Sequence, residues 1–138
     1  MTRFMAVIFA LSLAACARGV EPPPPAAPVA LEGSTFRLVN YRGEAVPGDG
    51  KYLLSFDAKS LQANFCNRMF GAYRLQEGRI SAQLAATKMY CVAPQLMEME
   101  QGFAQLLEQG AGLERESHSL RLLDQRGVAV FVYQVYMD

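Results

Sequence analysis

Apolar and polar residues alternate in several short segments of the chain, which is the pattern of strands with one buried face. Tyr52, Leu54 and Phe56 share one face of such a strand, and a similar run follows after a short turn, so the two runs predict a hairpin. Glu77-Gly78 separates two further runs and is a signal for a tight hairpin turn. The predicted strands cover residues 35–39, 52–56, 61–65, 72–76, 79–82, 119–123 and 128–136.

One segment repeats its apolar residues with the period of an α-helix instead. Pro94 suits the first turn of this helix and Gly110 suits its C-terminal cap, while the opposite face is polar. The sequence therefore predicts one amphipathic helix over residues 94–109. Its apolar stripe consists of Leu96, Met99, Phe103, Leu106 and Leu107.

Most turns between the predicted strands are too short for the crossovers that parallel strands require. We therefore predict an α+β fold: a curved antiparallel sheet or partial barrel of about six or seven short strands, with the helix packed on it. A chain of 138 residues holds one such domain, which we expect at residues 32–138.

The N-terminal residues have the layout of a bacterial export signal. Arg3 precedes an apolar run at residues 4–13, which is shorter than the roughly 20 residues of a membrane-spanning helix. The run ends in Leu13-Ala14-Ala15-Cys16, which resembles the lipobox of bacterial lipoproteins. We predict a signal peptide at residues 1–15 and lipid attachment at Cys16. The alternative is an ordinary signal cleaved near residue 15, which would leave a free thiol.

Residues 16–31 are predicted to be a tether between this lipid and the domain. Prolines at 22–25 and 28 prevent helix formation and favour an extended chain. Ala17 follows the acylated cysteine, and by resemblance to Gram-negative lipoproteins this favours the outer membrane. We expect a lipid-anchored envelope protein at the outer membrane, facing the periplasm.

Charge content argues against nucleic-acid binding, and cysteine content indicates a disulfide. Lys and Arg number 13 and Asp and Glu number 13, so the chain lacks the concentrated basic surface that binds nucleic acid. Of three cysteines, one is assigned to lipid, which leaves Cys66 and Cys91 on either side of a hairpin. An exported pair meets an oxidising compartment, so we expect a disulfide, with two free thiols as the alternative.

The segments around these two cysteines carry the most distinctive residues of the chain. They comprise Cys-Asn-Arg at 66–68, Gly71 two residues before Tyr73, Thr-Lys-Met at 87–89 before Cys91, and Pro-Gln-Leu at 94–96. This combination resembles the META domain family of HslJ-like heat-shock lipoproteins, and the resemblance covers about residues 31–136. It implies a small envelope protein with a sheet-and-helix fold, no known enzymatic activity, and an association with heat and antibiotic tolerance.

We therefore expect a non-enzymatic lipoprotein that supports envelope integrity by binding or by structural interaction, with no catalytic residues and no cofactor. Arg68 and Lys88 flank the two ends of the predicted disulfide, and with Asn67 they form a candidate interaction surface. The structural alternative is that Asn67 shapes a turn while Arg68 lays its stem over the core.

A small-ligand or soft-metal-binding module is the alternative function. Met69 and Met89, together with the two remaining cysteines, would suit Cu(I), although methionines more often fill cores. A zinc site needs about four His or Cys ligands, and too few remain once Cys16 is acylated. A thiol enzyme would pair a cysteine with His118, the only histidine. The sequence specifies neither the partner nor the oligomeric state.

Overall fold

The computed structural model describes residues 29–46 and 50–137, together with the isolated positions 19 and 22. The predicted signal peptide, the predicted acylation site Cys16 and most of the predicted tether lie outside the described residues. Val29 packs against the core, and Leu31 is 2% exposed within it. Packing into the core therefore begins within the last residues of the segment predicted as a tether.

The described chain contains ten short strands, and one helix lies between the seventh and eighth of them. The strands are β1 Thr35–Tyr41, β2 Glu44–Ala45, β3 Leu53–Phe56, β4 Ser60–Asn64, β5 Arg68–Gln76, β6 Arg79–Ala82, β7 Ala85–Ala86, β8 Ala111–Arg115, β9 Ser119–Leu123 and β10 Ala129–Val135, and the helix is α1 Pro94–Gln109.

Eight of these strands form a closed barrel in which neighbouring strands are antiparallel. Around the barrel the order is β1, β3, β4, β5, β6, β8, β9 and β10, and β10 pairs with β1 to close the ring. β2 and β7 pair with β1 and β5 respectively. The α+β class and the antiparallel sheet are as predicted, but the barrel is more closed than the predicted partial barrel of six or seven strands.

Strand β8 accounts for the difference, because it joins β6 to β9 and so completes the ring. Its buried side chains are Ala111 and Leu113, with Gly112 between them. Alanine and glycine have low strand propensity, so this segment has little of the apolar alternation that marked the other strands. Gly112 also allows a close approach, since a Cβ there would lie 3.0 Å from the Cβ of Leu123.

The predicted hairpins are present in the barrel. β3 pairs with β4, β5 with β6, and β9 with β10. In the β5–β6 turn Glu77 and Gly78 have φ angles of 52° and 72°. Positive φ at both central residues is the requirement of a type I′ turn, which matches the twist of the two strands.

Helix α1 has the bounds that the sequence predicts and packs one face into the barrel core. Gly110 caps it with a φ of 88°, and its N–H donates to the Leu107 carbonyl. Phe103 is fully buried, with its ring centroid 5.4 Å from those of Phe65 and Phe131. The helix and the barrel therefore share one core. No helix in the described part of the chain is long and apolar enough to cross a membrane.

Candidate functional site

The structure contains the disulfide that the sequence predicts between Cys66 and Cys91, with Cα atoms 5.8 Å apart. Cys66 lies in the turn between β4 and β5, and Cys91 lies in the irregular segment that leads from β7 to α1. The bond ties together two segments that are 25 residues apart. Residues 87–92, which belong to no strand or helix, are called the 87–92 loop below.

Asn67 is a buried polar junction beneath this loop and is 4% exposed. Its backbone N–H and its side-chain amide each donate to the Glu100 carboxylate of α1 at 2.9 Å. Its side-chain oxygen accepts the Met89 N–H at 2.6 Å and the Thr87 hydroxyl at 3.2 Å. The prediction that Asn67 belongs to an interaction surface is therefore wrong, because these bonds hold its side chain inside the protein.

Arg68 and Lys88, the other two residues of the predicted surface, are exposed. The Arg68 N–H donates to the Thr87 hydroxyl at 3.1 Å, and the Thr87 N–H donates to the Arg68 carbonyl at 3.0 Å. These bonds place the start of the 87–92 loop beside β5. Neither cation forms an ion pair with a residue that the structure describes.

Replacing Asn67 by alanine is expected to lower the free energy of unfolding by about 2 kcal/mol. The substitution removes one donor from the buried Glu100 carboxylate and the acceptor of the Met89 N–H, and the burial of residues 67 and 100 limits their replacement by water. Urea unfolding of the two proteins measures the difference. Adding Glu100→Gln should recover part of the loss, since a neutral amide still accepts from the backbone N–H of residue 67 and costs less to bury than a carboxylate that has lost a donor.

Asn64→Ala is the matched control for this prediction. Asn64 also makes two side-chain hydrogen bonds to backbone groups, accepting from Leu53 and donating to the Lys51 carbonyl, but it is exposed. Water can replace both bonds, so its loss should cost about 1 kcal/mol or less. Equal costs for the two asparagines would contradict a structural role for the buried junction.

The 87–92 loop exposes three large apolar side chains. Met89, Tyr90 and Val92 are 62%, 91% and 87% exposed, while Cys91 between them is turned inward by its bond to Cys66. Sequence reasoning missed this surface. Its signal is the run of five apolar residues at 89–93, in a segment that fits neither strand nor helix.

Two further residues of the distinctive pattern have structural roles. A Cβ at Gly71 would lie 2.4 Å from the Gln83 carbonyl oxygen, so only glycine fits where this strand meets the β6–β7 segment. The Tyr73 hydroxyl donates to the Asp57 carbonyl at 3.0 Å, and burial raises the pKa of Tyr73. Both residues therefore fix the packing around β5.

The disulfide removes the free thiols that the predicted alternatives, a thiol enzyme and a Cu(I) site, both require. In the disulfide neither Cys66 nor Cys91 is a nucleophile or a soft-metal ligand. Met69 is 2% exposed in the core whereas Met89 points outward, so the four residues form no Cu(I) site. Among residues 29–46 and 50–137 no three His, Cys, Asp or Glu side chains cluster as metal ligands would.

A cleft of about 590 Å³ lies between α1 and the ends of β1 and β10. Arg42 and Arg126 line it, and each is engaged by a carboxylate, Glu98 at 3.7 Å and Asp124 at 3.4 Å respectively. Backbone N–H groups, first that of Val128, bond the Asp124 carboxylate and lower its pKa. The cleft is therefore polar at its rim, and its charges are largely balanced.

Comparison with known proteins places the chain in a family. The META domain family model matches residues 29–135. The heat shock protein HslJ of Escherichia coli (strain K12) is 32% identical over 98 residues, which cover 69% of this chain and 70% of that protein.

Two solved structures share the fold. An NMR structure has a TM-score of 0.68 at 29% identity and covers 76% of this chain and 91% of its own. An NMR structure of a protein from Burkholderia xenovorans has a TM-score of 0.60 at 19% identity and covers 86% of this chain and 100% of its own.

The matched region contains all eight barrel strands, helix α1, both bonded cysteines and the 87–92 loop. The sequence match and the fold therefore agree over the same residues. The chain belongs to the META domain family.

Proposed function

We propose that this META domain protein acts without catalysis at the cell envelope, held there by lipid at Cys16. It supports the envelope under heat or antibiotic stress by binding another envelope component through the 87–92 loop. The barrel and helix serve as the rigid body that presents this loop.

The observation that carries the proposal is the exposure of Met89, Tyr90 and Val92 on a loop that is covalently and internally fixed. Apolar side chains that project into water in a cluster indicate a contact surface, whereas singly scattered ones do not. A disulfide and a buried asparagine hold the loop in place, so it is not exposed through disorder. The similarity to HslJ, a heat shock protein by name, supports the link to stress.

The proposal is tested by removing the apolar surface without touching the fold. The triple variant Met89→Ser, Tyr90→Ser, Val92→Ser is produced in the native host in place of the chromosomal copy, and survival is scored after heat shock. We expect survival to fall to that of the deletion strain. The unfolding free energy should stay within about 0.5 kcal/mol of the parent, because all three residues are exposed.

The matched control replaces three exposed apolar residues outside the loop and outside the cleft beside α1, Phe70, Leu75 and Met137, by serine. This control protein should protect cells like the parent. Full protection by the loop variant would overturn the assignment of function to the loop, and so would equal loss in both triple variants.

The proposed lipid attachment at Cys16 is tested separately from the loop. Mass spectrometry of protein taken from the envelope should find a mature N-terminus at Cys16 that carries a diacylglyceryl group and an acyl chain. Two or more chains give stable membrane attachment, so the protein should remain with membranes through a high-salt wash. An unmodified N-terminus at any position would contradict the anchor.

Binding of a small ligand is the second candidate, and the observation that favours it is the cleft of about 590 Å³ beside α1. Titration with benzoate, as a simple carboxylate with an apolar ring, would then give saturable amide NMR shifts confined to Gly102 and residues 128–130. Shifts that do not saturate, or that spread over the surface, would exclude this use of the cleft for such anions.

A further inference from the structure

We propose that the envelope component bound by the 87–92 loop is the anionic phospholipid surface itself, with the apolar tips entering the headgroup region and Arg68 and Lys88 meeting the phosphates. This inference rests on the proposed function and names its partner. The loop then fixes the orientation of the barrel on the bilayer.

The exposed side chains have the chemistry of a membrane interface. Tyr90 is 91% exposed, and tyrosine favours the boundary between headgroups and acyl chains because its ring is apolar and its hydroxyl polar. Met89 and Val92 flank it at 62% and 87% exposure. These three side chains, called the tip below, lie within four consecutive residues, whereas a stable protein interface covers a broad patch of roughly 800 Å² on each partner.

The tip is fixed before it binds anything. The Cys66–Cys91 bond holds one side of the loop, and the side-chain oxygen of Asn67 accepts the Met89 N–H at 2.6 Å. Thr87 is bonded to the backbone of Arg68 in both directions. Insertion therefore requires little ordering of the loop, which removes a common cost of binding.

The charge around the tip complements an anionic surface. Arg68 and Lys88 are exposed and form no ion pair within the described chain. The sequence has no Asp or Glu from residue 78 to residue 97, and Glu98 lies 3.7 Å from Arg42. The Glu100 carboxylate beneath the loop is buried and accepts two hydrogen bonds from Asn67, so it is not part of the exposed surface. Basic residues beside an inserted apolar group are attracted to anionic lipids and can extend to the phosphate level.

The experiment uses the absence of tryptophan from the chain. Tyr90→Trp introduces one fluorescent reporter at the tip, where the exposed side chain has little effect on the fold. The full-length protein from the envelope is reconstituted into phosphatidylglycerol-containing vesicles whose acyl chains are brominated to quench tryptophan. We expect a blue-shifted emission and about two-fold quenching, since interfacial groups sit about 5 to 10 Å deep.

Val128→Trp is the matched control, at another exposed apolar residue outside the loop. It should remain unquenched, although any N-terminal anchor holds both proteins on the same vesicles. Phosphatidylcholine vesicles, high salt or an added Lys88→Glu should each reduce quenching at position 90, because each weakens the attraction between cation and phosphate.

Equal quenching at positions 90 and 128 would overturn the inference, because the domain would then lie on the bilayer without a preferred face. No quenching at position 90 would also overturn it. If the serine variant of the loop still abolished heat survival in that case, the proposed function would stand with a protein as the partner.

Discussion

Truncating Phe103 to alanine is expected to lower the free energy of unfolding by about 3 to 5 kcal/mol, the range for a fully buried aromatic ring. Phe103 is 0% exposed and connects α1 to the barrel. Its ring centroid lies 5.4 Å from those of Phe65 and Phe131, which come from the β4–β5 turn and from β10. A closed ring of strands cannot easily collapse into the space left behind, so most of the cavity remains.

Phe70→Ala is the matched control, because it removes the same ring from a position that is 46% exposed. It should cost about 1 kcal/mol or less, since surface substitutions rarely cost more. Both variants are compared with the parent by urea unfolding followed by circular dichroism. Equal losses of unfolding free energy in the two variants would contradict this prediction. The buried contacts of Phe103 would then contribute no more to stability than a half-exposed ring does.

Helix α1 and the hairpins could be predicted because their causes are local. Apolar residues at a spacing of three and four, Pro94 at the start and Gly110 at the end specify the helix without reference to the rest of the chain. Glu77-Gly78 specifies its turn through the positive φ of both residues. These signals lie within a few residues of the structures that they determine.

Closure of the barrel could not be predicted in the same way, because the neighbouring strands, and not a local sequence pattern, determine that β8 forms a strand. Ala111 and Leu113 are its buried residues, and its pairing with β6 extends over Arg79–Gly112 and Ile80–Ala111. The Arg79 guanidinium also bonds the Gly110 carbonyl beside this pairing. Such a strand is defined by tertiary contacts, which periodicity does not report.

Only part of the candidate site could be predicted, again because some of its contacts join residues that are distant in the sequence. Cys66 and Cys91 could be paired because only two cysteines remained after Cys16 was assigned to lipid. The partner of Asn67 is Glu100, which is 33 residues away on the helix and has no sequence signal as a buried carboxylate. Without that partner the sequence leaves Asn67 open between an interaction surface and a turn-shaping residue, and it gives no sign that the apolar side chains at 89–92 are exposed.

Replacing both Cys66 and Cys91 by alanine is expected to lower the free energy of unfolding by about 3 kcal/mol, because the bond closes a loop across 25 residues and restricts the unfolded chain. That loss is a large share of the roughly 5 to 15 kcal/mol that stabilises a small domain. The native barrel should persist, since the pairing of β4 with β5 and the Phe103 contacts do not depend on the bond.

Reductant provides the control for this double variant. Adding thiol to the parent protein should lower its unfolding free energy to that of the variant, and the variant should not respond. Amide hydrogen exchange should then locate the effect: the Met89 N–H, protected by Asn67 in the oxidised protein, should exchange faster in the variant, while the core amides of β9 and β10 keep their order of protection. A variant as stable as the oxidised parent, with an equally protected Met89, would contradict the view that the disulfide holds the 87–92 loop in place. The loop would then be fixed by the Asn67 junction alone.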